Sequence, residues 1–228
     1  MKNGNKAYYN DIATNYDKDR IIEPIWNEEQ SFISNYISER ESGSTILDVP
    51  VGTGRFIDIY LKKKMHVIGI DISDDMLSEA QKKFENNNLV NLECGDATAL
   101  SFGDGSVDYV VCWRLVHLLD SENLDLMISE LSRVCRKEIV IQIYETTNKA
   151  PSIYFRILRK IRTTTKKIFT KREKLGKKSW GNIKFFYHRD EEMTRLFAKY
   201  RLIIKKTSIL GENEPLNREK VYTVRKEV

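Results

Sequence analysis

No apolar run in the 228 residues approaches the roughly 20 needed to span a bilayer. The opening Met1-Lys2-Asn3-Gly4-Asn5-Lys6 leads into polar and aromatic residues rather than the apolar segment of a signal peptide. A cytoplasmic protein is expected, with no membrane span. Cysteine is scarce: Cys94, Cys112 and Cys135 are odd in number and lack metal-ligand spacing. They are expected to be buried thiols in a reducing compartment, and no metal is expected. There are no internal repeats and no low-complexity linker. With 41% hydrophobic residues the chain holds enough apolar side chain for a core and is no disordered tail.

What is present is strongly ordered by charge. The net charge of +5 hides 16 Lys and Arg against 25 Asp and Glu in residues 1–150, and 22 against 8 in residues 151–228. The basic charge is therefore local, and the first two thirds are acidic.

Apolar runs suited to strands fall at 45–50, 66–71, 89–94, 107–113, 138–144, 201–209 and 220–226. Helical spacing falls at 55–64, 74–87, 122–136 and 189–200, with Asp74 and Asp75 opening the second of these and Ser121 a candidate cap for the third. Residues 7–40 are helical and amphipathic, with Ile33, Tyr36 and Ile37 on one side. Alternation of this kind predicts a doubly wound α/β fold: a mostly parallel seven-stranded sheet with helices on both faces. The last two strands have only the turn 210–215 between them, so they are expected to form a C-terminal antiparallel hairpin. One domain over 1–228 is expected, made of an N-terminal helical lid (7–40), a core (45–145), a basic insertion (146–187), and a last helix with the hairpin (188–228).

The most informative stretch is Thr45-Ile46-Leu47-Asp48-Val49-Pro50-Val51-Gly52-Thr53-Gly54-Arg55-Phe56, a buried strand, a glycine turn and a helix start. Gly52 and Gly54 permit backbone conformations forbidden to other residues and let a ligand approach the main chain. The following helix points N–H groups and its positive end at that ligand. The second strand ends in Asp71, where ribose hydroxyls find an acceptor pair. After the third comes Gly95-Asp96-Ala97, where a carboxylate and a backbone N–H can read adenine. Separately, Gly52 and Gly54 could merely shape a turn, Asp71 could cap a helix, and Asp96 could be a turn residue. Together, in this order, they point to a nucleoside-cofactor site. A nicotinamide cofactor fits less well, because Ile57 occupies the place of the third glycine and no second catalytic domain follows.

Over nearly all of residues 8–226 the chain resembles the class I S-adenosylmethionine-dependent methyltransferases. The resemblance implies S-adenosylmethionine as cofactor, held by Asp48, Gly52, Gly54, Asp71, Asp96, Ala97 and Trp113. Tyr8 to Asp17 looks like the N-terminal helix that many small-molecule members fold over the cofactor, with Tyr16 facing the substrate. One departure stands in the loop: Pro50 replaces the first glycine, which removes a donor but suits a turn entry.

Arg114 is expected either to bind an acidic substrate group or to pair with a surface carboxylate, and Glu145 to contact substrate or stay solvated. His117 is expected to act either as a general base toward a hydroxyl or as a packing residue. The implied activity is methyl transfer to a hydroxyl, less readily an amine, of a small molecule, sugar or glycan. The alternatives are an RNA methyltransferase and a non-catalytic cofactor-binding scaffold. Residues 153–178 hold 11 basic residues and one acid. They are expected to make weak contact with an anionic membrane surface, or to cover the site as a solvated lid; RNA is the less favoured partner, since few aromatic side chains accompany the charge.

Overall fold

The computed structural model describes residues 13, 16–21, 23, 25–144, 185–211 and 219–227. Glu145, the basic segment 153–178 and the turn after Gly211 lie outside the described residues. Seven strands form one sheet: β1 (Thr45–Asp48), β2 (His66–Asp71), β3 (Val90–Cys94), β4 (Val107–Cys112), β5 (Cys135–Tyr144), β6 (Leu202–Leu210) and β7 (Glu219–Lys226). Their order is β3-β2-β1-β4-β5-β7-β6. The first five run parallel, while β7 is antiparallel to both β5 and β6. The expected mixed sheet and terminal hairpin are therefore present.

Central strands are apolar on both sides because both sheet faces are covered. Every residue of β4 is buried. Ile46, Val67, Tyr109 and Val111 pack with residues of α2 (Ile25–Ser38), α3 (Ile57–Lys62) and α4 (Asp74–Phe84). Leu47, Val110 and Cys112 pack on the other face with α5 (Ser121–Val134) and α6 (Asp190–Lys199). A short helix α1 (Tyr16–Arg20) precedes α2.

Differences from the sequence expectation are local. The helix expected from residue 55 begins at Ile57, because Gly54 sits at φ +78° and holds residues 52–56 in turns. Helix α5 is capped by Asp120, which accepts from Asn123 N–H at 3.0 Å, and not by Ser121, whose hydroxyl donates to Glu192. A carboxylate is the better acceptor at a positive helix end. Helix α5 stops at Val134 and β5 begins at once, since Cys135 is already extended. Cys112 and Cys135 are buried as expected, but Cys94 is exposed, because β3 is an edge strand with one neighbour. Among the described residues no helix is long and apolar enough to cross a membrane.

The chain leaves β1 toward β2 and β3, then returns to place β4 on the other side of β1. Ligands of open α/β sheets bind in the crevice that such a reversal opens at the carboxyl ends of the strands.

Candidate active site

A cleft of about 710 Å³, solvent at its mouth included, lies at that point. Its size falls within the roughly 300–1,000 Å³ of small-molecule sites. Tyr16, the glycine turn from Pro50 to Thr53, Arg55, Phe56, Asp71, Met76, Trp113, Arg114 and Leu118 all contribute to its wall. The Val49–Pro50 bond is cis.

The two glycines divide their work. Gly52 lies at φ +55°, and a Cβ there would meet nothing within 4 Å, so the open space beside it belongs to the cleft. A Cβ on Gly54 would lie 2.9 Å from Phe84, 3.0 Å from Ile57 and 3.3 Å from Ala80. Gly54 therefore serves helix packing and does not line the cleft. Gly69 on β2, which the sequence did not single out, admits Val51 and Leu92 in the same way: a Cβ would come within 2.8 and 2.5 Å of them.

Asp71 ties the first two strand tips together. One oxygen accepts from Gly52 N–H and the other from Ser73 N–H, each at 2.8 Å. Burial pushes its pKa up, and the backbone bonds from Ser73, Gly52 and Ile72 restrain the rise. A carboxylate has about four acceptor positions, so with three backbone bonds about one is left for a ligand hydroxyl. Asp48, one turn below, has a different setting. It is fully buried, accepts from Tyr60 O–H at 3.2 Å, and its other oxygen has no partner among the described residues. Burial pushes its pKa up to about 8, only partly offset by the Tyr60 bond. Asp48 does not line the cleft.

Asp96 and Ala97 also lie outside the lining. Asp96 accepts from both the N–H and the hydroxyl of Thr98, at 2.9 and 2.8 Å, which fixes the loop after β3. Ala97 is buried in the core.

Helix α1 reaches the glycine turn through Asp17. Asp17 accepts from the Thr53 hydroxyl at 2.6 Å and from Lys83 Nζ at 2.7 Å, and Lys83 also donates to the Thr53 carbonyl. This brings Tyr16 to the cleft wall.

A buried ion cluster that the sequence did not reveal organises the opposite wall. Glu29 of α2, with no solvent exposure, accepts from Trp113 Nε1 at 3.1 Å, from Arg114 Nε and Nη2 at 3.0 and 2.7 Å, and from Arg55 Nη1 at 2.5 Å. All three donors belong to residues of the cleft wall. Burial opposes ionisation of Glu29, yet Arg114 and Arg55 overcome it and hold the carboxyl below its usual range. Arg55 also lies over the Trp26 ring, 3.4 Å from its centroid. Arg114, at φ +58°, donates further to Tyr144 and Glu23, while its N–H donates to Gln142. Glu219 of β7 sits 3.9 Å from Arg114 Nη2. Burial and the nearby Glu29 raise its pKa well above the carboxylate range. The signal available in the sequence was Glu29 itself, a charge within the apolar stripe Ile25, Trp26, Ile33, Tyr36 and Ile37.

His117 packs against two rings, edge-on to Tyr144 and stacked on Phe185, and lies outside the cleft lining. Burial, with Arg114 and Arg20 nearby, lowers its pKa to about 3. His188 holds the chain before α6, with Nε2 2.8 Å from the Leu119 carbonyl and Nδ1 3.0 Å from Glu192.

Residues 46–138 match the family model for a methyltransferase domain. That match covers less than half of the chain, and over it the chain is similar to methyltransferases. Among curated relatives, it is 37% identical over 114 residues to a phosphatidylethanolamine N-methyltransferase of Cereibacter sphaeroides, covering 48% of this chain and 55% of that protein. It is 30% identical over 125 residues to a malonyl-[acyl-carrier protein] O-methyltransferase of Erwinia billingiae, covering 54% and 45%. The chain thus spans about half the length of these relatives. Magnesium protoporphyrin IX methyltransferase of Synechocystis, solved with bound S-adenosylhomocysteine, shares the fold with a TM-score of 0.70 at 16% identity over the whole of both chains. The cleft suits a nucleoside ligand of that kind: an open glycine turn, a carboxylate with a spare acceptor position at the next strand tip, and apolar walls.

Proposed function

We propose that this chain transfers a methyl group from S-adenosylmethionine to an oxygen of a small molecule, sugar or glycan. The carrying observation is the 2.8 Å bond from Gly52 N–H to Asp71, which fixes an open glycine turn beside a carboxylate at the mouth of an apolar cleft. In this reading the Gly52 turn takes the methionine part, Asp71 the ribose, and the loop holding Asp96 and Ala97 the adenine. Asp48 and Gly54 support the turn from below. Tyr16, Trp113 and Arg114 face the acceptor, with Glu145 assigned to the same rim.

When bound, the sulfonium supplies an activated methyl group. The protein's part is to align and to exclude water, and such positioning contributes roughly 7–11 kcal/mol. Trp113 and Arg114 are well suited to it, because Glu29 fixes both. The relatives' names speak of phosphatidylethanolamine, malonyl-[acyl-carrier protein] and demethylmenaquinone, which supports an acceptor with an apolar body. The basic charge of 153–178 and the phospholipid-acting relative together support a weak contact with an anionic membrane surface.

Calorimetry with S-adenosylhomocysteine and NAD tests the cofactor assignment. S-adenosylhomocysteine should bind and NAD should not. Asp71→Ala should weaken binding by about 1.5–3 kcal/mol, the value of a charge-assisted bond. Unchanged affinity in a folded Asp71→Ala protein would sink the reading.

A further inference from the structure

Helix α1 is fastened at both ends to residues of the cleft wall. At its start Asp17 accepts from the Thr53 hydroxyl at 2.6 Å and from Lys83 Nζ at 2.7 Å. Thr53 belongs to the glycine turn after β1 and contributes to the lining. At its end Arg20 donates to Glu23 at 3.0 Å, and Glu23 accepts from Arg114 Nη2 at 3.3 Å. Arg114 follows β4 and also lines the cleft. The helix thus joins two strand tips, and it carries Tyr16, itself part of the wall.

Lys83 takes part in this arrangement from outside the lining. It donates to Asp17 and also to the Thr53 carbonyl, the latter at 2.8 Å. Met76, Ala80 and Lys83 stand at i, i+4 and i+7 on α4, so they share one face. Met76 lines the cleft, and Ala80 lies 3.3 Å from the place of a Cβ on Gly54. One stripe of α4 therefore braces the glycine turn, and its last member extends the brace to α1.

The two fastenings differ in exposure. The Arg20, Glu23 and Arg114 side chains are 23, 32 and 10% exposed, whereas Lys83 and Asp17 are 42 and 36% exposed. Water and salt weaken the more exposed pair first. The Asp17 end is the one that opens.

We infer that Lys83 is a positioning residue: through Asp17 it holds α1 against the occupied cleft, and release of this latch sets how fast the nucleoside ligand leaves. The inference rests on the cofactor reading above. A segment held at both ends keeps Tyr16 at the wall and closes a way out, and such closures govern ligand release in many enzymes. Lys83 acts on exchange, while Gly52 and Asp71 form the cradle.

The test follows dissociation of S-adenosylhomocysteine from the full chain by stopped flow, using tryptophan fluorescence because Trp113 lines the cleft. Lys83→Met keeps a long stem without the charge, and at an exposed position it should fold. At low salt it should release the ligand about threefold faster than the parent, the scale of an exposed ion pair. Lys83→Arg should restore a rate near the parent's. Asp17→Ala, which also removes the acceptor of the Thr53 hydroxyl, should release the ligand about tenfold faster or more. Salt separates a latch from mere packing. Raising it from about 0.01 M to about 1 M shortens the screening length from about 30 Å to about 3 Å. Release from the parent and from Lys83→Arg should quicken, and release from Lys83→Met should hardly change. Parent-like release from Lys83→Met, or an equal salt effect in that variant, overturns the inference. Failure of S-adenosylhomocysteine to bind the parent would instead overturn the methyl-transfer reading, and the role of the latch with it.

Discussion

Glu29 and Arg114 hold each other through a single oxygen: Glu29 Oε1 accepts from Arg114 Nε at 3.0 Å and from Nη2 at 2.7 Å. The other Glu29 oxygen takes Arg55. One carboxylate on α2 thereby locks two guanidiniums that arise from the ends of β1 and β4, and the helix covers the cleft because its charge belongs there.

Removing that carboxylate should be costly. Glu29→Ala leaves Arg55 and Arg114 buried without their shared partner, and breaking such a pair destabilises by about 3–5 kcal/mol. Denaturant unfolding at pH 7 measures it. The pH dependence has a definite sign. Because the folded pKa of Glu29 lies below its unfolded value, its stabilisation is present above the unfolded pKa and lost as pH falls through the folded one. Glu29→Ala should therefore lose less further stability on acidification than the parent.

Asp48 acts in the opposite direction. Its folded pKa of about 8 lies above the unfolded value, so its favourable contribution is present below the unfolded pKa and lost as pH rises through 8. Within that window the parent should lose about 1.4 kcal/mol per pH unit from this group. Asp48→Asn, which keeps an acceptor for Tyr60, should flatten the stability profile between pH 5 and pH 8. An equally steep fall in the variant would place the titration elsewhere.

The strands could be seen in the sequence because continuous apolar runs such as 109–113 have few other uses, and Asp71 could be seen because it ends one. The hairpin followed from the shortness of its turn. The cluster around Glu29 could not be seen. Its members are 26 and 85 residues apart in the chain, and only the packing of α2 on the sheet joins them. Burial separated residues of similar appearance: Asp71 reaches the cleft while Asp48 is sealed beneath the turn, and His117 faces two rings rather than the cleft. Two glycines of one motif likewise divided, one by open space and one by contact with Phe84.

That division predicts two phenotypes. Gly54→Ala forces a Cβ against Phe84 and Ile57 and should destabilise by about 1–3 kcal/mol, as overpacking does. Gly52→Ala meets no atom, and its left-handed backbone costs about 1–2 kcal/mol. Of the two, Gly52→Ala should show the larger loss of S-adenosylhomocysteine affinity in calorimetry on folded protein, because its Cβ enters the ligand's space. The reverse ranking would remove Gly52 from the cofactor cradle.

His117 should be silent near neutrality. Its folded pKa of about 3 lies below the unfolded value near 6.5, so its contribution is present above pH 6.5 and lost as pH falls toward 3. Its imidazole C2 proton should keep one chemical shift from pH 5 to pH 8 in NMR spectra. A titration midpoint near 6.5 would show a solvated ring and restore His117 as a candidate base.

The basic segment is tested by charge reversal. Residues 153–178 carry 11 basic side chains against Glu173, more than the rest of the chain concentrates anywhere else of that length. Each basic residue near an anionic bilayer contributes about 1 kcal/mol, and the attraction weakens with added salt. Vesicles of phosphatidylglycerol and phosphatidylcholine should therefore co-sediment with the parent protein at low salt and release it at high salt. Reversal of Lys166, Lys167, Lys171 and Arg172 to Glu should abolish co-sedimentation. It should leave S-adenosylhomocysteine affinity unchanged, because the Asp71 and Gly52 elements that would bind that ligand carry their own contacts within the sheet. Single-stranded RNA is the competing partner, and its binding also falls with salt. Association with RNA at physiological salt, without association with vesicles, would reject the membrane contact and favour a nucleic-acid acceptor.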